Sequence, residues 1–129
     1  MSAGRDLPIN DLTSQVISYA IEVHRQLGPG LLESAYEECL CYELSKANIE
    51  FERQLKVPVI YKEVHLDCGY KLDVMIGRSL VVELKCVEKL LPIHEAQLLT
   101  YLKLLRCKTG LLLNFHSVLL KDGIKRMVL

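Results

Sequence analysis

The chain has 129 residues, half of them apolar, with 16 basic and 16 acidic side chains and a formal net charge of zero. That length suits a single domain over residues 1–129 with one core, and the charge balance argues against phosphate binding by a general excess of Lys and Arg, leaving any nucleic-acid contact to local charge distribution. No run approaches the roughly 20 apolar residues of a transmembrane helix, and the start, MSAGRDLPIND, lacks a basic segment followed by an apolar one. The five cysteines form an odd set without CxxC or Cys/His zinc spacing, which reads as free, mostly buried thiols in a reducing compartment. The expectation is a cytoplasmic protein with no membrane partner.

Val16, Ile17, Ala20, Ile21, Val23, His24 and Leu27 recur at helical spacing and predict a first helix over Ile9 to Leu27, with Asp11 or Thr13 near its start as N-cap. His24, on the apolar stripe, reads as a satisfied core or boundary histidine. Gly28-Pro29-Gly30 must interrupt the helix. A second helix follows over Leu31 to Lys46, burying Leu32, Ala35, Tyr36, Cys39, Leu40 and Leu44, with Asn48 suited to a left-handed exit. Glu33 and Tyr36, three apart, share a face of that helix. Glu33 also lies in the first turn, where the helix dipole stabilises a carboxylate.

From Ile49 to Leu66 the period becomes two: Leu55, Val57, Val59 and Tyr61 alternate with Gln54, Lys56, Pro58 and Ile60. Pro58 donates no ladder bond, so it belongs at an edge or a bulge. Two further strands, Tyr70 to Ile76 and Leu80 to Lys85, flank Gly77-Arg78-Ser79 as an antiparallel hairpin. Alternation puts Leu72, Val74 and Ile76 on one face of the first and Lys71, Asp73 and Met75 on the other; in the second, Val81, Glu83 and Lys85 share a face. A three-residue loop at 77–79 sets Asp73 opposite Glu83 and Lys71 opposite Lys85, whereas a two-residue turn at Gly77-Arg78 opposes Asp73 to Val82 and sends Glu83 to the other face. Two acids and a lysine on one strand face suit a metal ion, and that reading requires the longer loop or a bulge; a solvated strand face of mixed charge is the plainer alternative.

Pro92 opens a periodic helix to about Arg106, with Ile93, Ala96, Leu98, Leu99, Leu102 and Leu105 inward. Gln97 interrupts its apolar surface and reads as a buried amide hydrogen-bonded to backbone, water, metal-bound water or phosphate; Tyr101 lies one turn further on the same stripe, and His94 three residues before Gln97. Gly110 to Phe115 reads as a buried strand. Val118 to Leu120, Lys121-Asp122-Gly123 and Ile124 to Leu129 read as a closing hairpin, with Lys121, Lys125 and Arg126 as a modest basic cluster. The order is ααβββαβ plus that small C-terminal hairpin: an α/β (α+β) fold with a mixed central sheet flanked by helices. No P-loop, dinucleotide fingerprint or Gly-x-Ser-x-Gly is present.

Gly30-Leu31-Leu32-Glu33-Ser34-Ala35-Tyr36, within HRQLGPGLLESAY, resembles the naming motif of the GxxExxY protein family, placed in the PD-(D/E)xK nuclease superfamily. The likeness continues through Asp73, Glu83-Leu84-Lys85, the Gln97-Leu98-Leu99-Thr100-Tyr101 helix, GLLLNF and LKDGIKR, nearly the whole chain. It implies a restriction-endonuclease-like core with a four-stranded mixed sheet, and Mg²⁺- or Mn²⁺-dependent hydrolysis of phosphodiester bonds in DNA or RNA. Carried over, Asp73, Glu83 and the Leu84 carbonyl hold the metal, Lys85 is the catalytic lysine, Glu33 is a helix-borne acid, and Gln97 and Tyr101 match the QxxxY element of the RecB-like branch. The sequence departs from the pattern at Leu72, where the superfamily's naming motif has proline. A non-catalytic module that keeps the fold, as a homodimer or partner-binding subunit, is the alternative.

Overall fold

A computed structural model describes residues 7–129; part of the N-terminal segment used for the targeting reading lies outside them. The elements are α1 (Ile9–Leu27), α2 (Glu33–Lys46), β1 (Phe51–Lys56), β2 (Val59–Tyr61), β3 (Val64–Leu66), β4 (Lys71–Ile76), β5 (Leu80–Lys85), α3 (Pro92–Leu105), β6 (Thr109–Asn114) and β7 (Ile124–Val128). Five strands form one sheet in the order β1-β4-β5-β6-β7. Among the described residues only β5 and β6 pair in parallel, and parallel neighbours need a crossover, which α3 supplies. The fold is a mixed α+β arrangement of the restriction-endonuclease type, with five strands in place of four.

The sheet divides two apolar clusters. On one side Val74, Ile76, Val82, Leu84, Leu111 and Leu113 pack with Val16, Ala20, Tyr36, Leu40 and Leu44 of α1 and α2. On the other, Met75, Val81 and Leu112 pack with Leu98, Tyr101 and Leu102 of α3. Every residue of β6 is buried, as expected for a central strand covered on both faces.

Several local expectations are corrected. α1 is preceded by Pro8 without a side-chain cap, and the Thr13 hydroxyl donates to the Ile9 carbonyl at 2.7 Å. α2 starts at Glu33 because Leu32 is extended, and Leu32 is exposed rather than buried. Ile93 and Ala96 of α3 face out, since the inward stripe runs through Leu98, Tyr101 and Leu102. Val59 to Leu66 leaves the main sheet after Pro58 and folds on itself as the β2–β3 hairpin. The closing hairpin is β6 with β7; residues 120–123 form a 3-10 turn between them, so Val118 to Leu120 is not a strand. Of the five cysteines, all free, Cys41 and Cys107 are buried, Cys39 and Cys86 half-buried and Cys68 exposed. No helix among the described residues is long and apolar enough to cross a membrane.

The chain between α1 and α2 is closed by Tyr36. Its hydroxyl donates to the Gly28 carbonyl and accepts from the Leu31 amide, and its ring stacks on Phe115 at 4.5 Å. Gly28 and Gly30 have φ of +70° and +103°, conformations that favour glycine. Tyr36 is thus a core residue with a bonded polar tip, and His24 is likewise buried, its Nε2 2.8 Å from the Ser117 carbonyl.

The exit of β5 is fixed by β6. Phe115 donates its amide to the Lys85 carbonyl at 2.8 Å. Asn114, buried, accepts from the Val87 amide at 3.1 Å and donates to the Val87 carbonyl at 2.8 Å. Both backbone groups of Val87 lose these partners in Asn114→Ala, which is expected to lower stability by about 1–3 kcal/mol, read as a lower urea midpoint at unchanged slope.

Candidate active site

The β4–β5 turn decides where the acids meet. Ser79 donates its amide to the Ile76 carbonyl at 3.0 Å, closing a turn over Gly77 and Arg78, both left-handed (φ +55° and +57°). Ser79 is then an extra residue before the ladder begins at Ile76↔Leu80. The pairs Ile76↔Leu80, Met75↔Val81 and Val74↔Val82 follow the three-residue loop, the register that carries Asp73 toward Glu83.

The ladder ends there. Asp73 Oδ2 accepts the Leu84 amide at 2.8 Å, so a side chain takes the place of a backbone carbonyl. The β4–β5 pairs stop at Val74↔Val82, so Lys71, expected opposite Lys85, has no ladder partner on β5; on its other side it pairs with Lys56 of β1. Leu72 also departs from simple alternation: it packs in the α3-side cluster, whereas Val74 and Ile76 pack on the α1/α2 side. In a strand, the N–H and C=O of one residue point the same way. The Leu84 carbonyl is therefore turned to the side on which its amide meets Asp73, while the Lys85 carbonyl faces β6.

Glu83 is only 4% exposed. Burial first, then its hydrogen bond with Asp73 and the charge of Asp73, pushes its carboxyl up to about 9, and Lys85 pulls the other way without prevailing. Tyr101 closes the site from α3; its hydroxyl is also raised, by burial and then by Glu83, Tyr70 and Asp73. Two carboxyls, a lysine and a tyrosine thus share one electrostatic environment. Asp73 Oδ1 has a further neighbour, the Gln54 amide at 3.3 Å, which donates to Glu37 Oε1 at 2.8 Å as well.

Gln97 is exposed, not a buried amide awaiting partners. With Tyr101, Tyr70, Val59 and Ile93 it lines an open hollow of about 380 Å³. His94 serves α3 itself, its Nδ1 accepting the Leu91 amide at 2.9 Å. Glu33 lies in the first turn of α2 and lines a separate hollow with Leu31, Leu32, Cys86 and His116. Its charge, after burial, raises the Cys86 thiol. No group of three or more His, Cys, Asp or Glu side chains able to hold a metal ion occurs among the described residues, so Glu33 does not complete a three-acid cluster with Asp73 and Glu83. The basic cluster of Lys121, Lys125 and Arg126 lies on or beside β7, the far edge of the sheet from β1.

A family model described as the PD-(D/E)XK nuclease superfamily matches residues 10–127. The chain belongs to the PD-(D/E)XK nuclease superfamily. No curated protein and no solved structure gives a significant match. PD-(D/E)XK nucleases generally use divalent metal ions, and the donor chemistry here fits one. Two facing carboxyls, one of them buried, need a proton or a cation between them, and Mg²⁺ binds through one or two carboxylates while keeping several waters. The superfamily's proline position is filled by Leu72, fully buried against the α3 side.

Glu37, Arg53 and Gln54 also reach the site, although no motif singles them out in the sequence. Glu37 follows Tyr36 directly and lies one turn after Glu33, a spacing that marks it as a neighbour on the helix; nothing in Glu52-Arg53-Gln54 marks a strand residue with left-handed backbone.

With divalent cations chelated, Glu83 makes stability depend on pH. A protonated native carboxyl and an ionised unfolded one mean that the native state binds more protons between the ordinary carboxylate range and about 9. Its favourable contribution is therefore full in acid and is lost as pH rises through that window. Urea midpoints in chelator at pH 5, 7 and 9 are expected to fall progressively for wild type and to stay flatter for Glu83→Gln.

Proposed function

We propose that this chain is a divalent-cation-dependent nuclease that hydrolyses phosphodiester bonds in DNA or RNA, of the GxxExxY type. One observation supports the reading: the buried Glu83 carboxyl lies beside Asp73, whose Oδ2 accepts the amide of the next residue, Leu84, with Lys85 following on the same strand. In this reading Asp73, Glu83 and the Leu84 carbonyl hold Mg²⁺ or Mn²⁺, which supplies Lewis-acid polarisation of the scissile phosphate and neutralises charge developing on it.

The chain's own groups do the rest. Lys85 contributes an ammonium that orients the attacking water and stabilises the negative charge of the transition state. The water oxygen bonds to phosphorus as it gives up a proton to solvent, the ester P–O bond breaks, and the departing oxygen takes up a proton from solvent; no covalent protein intermediate is involved. Tyr101 walls the carboxylates on the α3 side and limits their access to water. Gln97, exposed on the same helix beside the open hollow, is placed to contact substrate, in keeping with a QxxxY element. Glu33, at the end of β5 beside Cys86, acts on substrate or solvent from the α2 side.

Labelled DNA and RNA, each incubated with Mg²⁺ or Mn²⁺, should be cleaved by wild type and about 10²–10³-fold more slowly by Asp73→Ala and Lys85→Ala. Equal rates in all three proteins would remove the nuclease assignment. Metal binding that survives Glu83→Gln undiminished would favour the non-catalytic module.

A further inference from the structure

Among the described residues, five non-glycine positions have left-handed backbone. Asn48, Lys62, Arg78 and Arg106 lie in turns or at helix ends, where such conformations are common, but Gln54 (φ +50°) lies inside β1. Residues held in that region inside regular structure are uncommon and tend to mark functional sites. The β1–β4 ladder keeps one register on both sides, Arg53↔Val74 and Leu55↔Leu72, so Gln54 stands opposite Asp73. Before it, Phe51 packs toward α1 and α2; after it, Leu55 and Val57 pack toward α3.

The side chain uses both of its donor hydrogens. Gln54 Nε2 reaches Glu37 Oε1 at 2.8 Å and Asp73 Oδ1 at 3.3 Å. Glu37 is 7% exposed, and its other oxygen is held by Arg53 Nε and Nη2 at 3.1 and 2.9 Å. A chain of bonds therefore runs from α2 through Arg53, Glu37 and Gln54 to Asp73. Asp73 Oδ2 is held separately by the Leu84 amide, so both oxygens of that carboxylate have fixed directions.

We propose that Gln54 is a positioning residue: its amide, itself oriented by Glu37 and Arg53, aims the Asp73 carboxylate at a divalent cation, and its left-handed backbone brings the amide to that place. The role rests on the metal reading above and deepens it. Partners that orient a metal-binding side chain are worth about 10- to 100-fold in metal affinity when removed.

Gln54→Gly isolates the amide from the backbone, because glycine adopts φ +50° without strain. Wild type, Gln54→Gly and Asp73→Ala are compared by calorimetric Mn²⁺ titration and by thermal melting in chelator. The expected result is a Gln54→Gly protein that still melts cooperatively, with Mn²⁺ affinity weakened about 10- to 100-fold, and no binding by Asp73→Ala. Mn²⁺ affinity equal to wild type overturns the positioning role while leaving the metal reading intact. A fall in melting temperature with affinity unchanged assigns Gln54 to the fold alone. Wild type that takes up no Mn²⁺ overturns the metal reading and this role with it.

Discussion

The 2.8 Å bond from the Leu84 amide to Asp73 Oδ2 terminates β4–β5 pairing without leaving a strand N–H in an apolar interior. An unpaired buried amide carries a desolvation cost of about 1–3 kcal/mol, so a strand pair that parts inside a fold needs a substitute acceptor. Asp73 is that substitute. Because it is a carboxylate rather than a carbonyl, the same residue that ends the ladder brings negative charge to the point where the two strands separate.

Each element around that point is held from a different side. α2 presents Glu37, and β1 presents Gln54 and Arg53. α3 brings Tyr101 near the carboxyls, while β6 anchors the chain beyond Lys85 through Phe115 and Asn114. The parallel β5–β6 pairing makes this last contact possible, since it carries the C-terminal ends of both strands to the same end of the sheet. Bonds reach the site from α2 and β6, and packing reaches it from α3, so the acids sit where the three meet rather than on an independent loop.

Much of this was legible in the residues. α1 has its predicted bounds, α3 ends one residue early at left-handed Arg106, and the hairpin has the longer of its two possible loops, because a one-residue slip would exchange the two buried faces of β5 and move Glu83 to the α1/α2 side. The Asp73–Glu83 approach followed from that register. What escaped the sequence belongs to non-local geometry. Val59 to Leu66 alternates as a continuing strand would, but Pro58 donates no bond and the segment pairs with itself. Leu72 shares a period with Val74 and Ile76 yet packs on the opposite side, because the strands change facing at the Gln54–Asp73 position. Gln97 has apolar neighbours along α3, which suggest a buried amide, but the helix turns that flank to solvent.

Burying Glu83 has a consequence that local charge alone does not remove. Raising a carboxyl from the ordinary value of 4.5 to about 9 corresponds to a penalty on its ionised form on the order of 6 kcal/mol. A lysine of the Lys85 kind, half-exposed, offers about 1 kcal/mol or less in a solvated pair, too little to hold the ionised form. A cation of charge two between the carboxyls changes that balance, since it attracts both where Lys85 partly offsets one. The same burial that makes Glu83 costly also keeps water from its carboxyl, which strengthens each electrostatic interaction it makes. A strand face built only for solvation would have kept Glu83 in water and left Asp73 without a buried partner, and neither is the case.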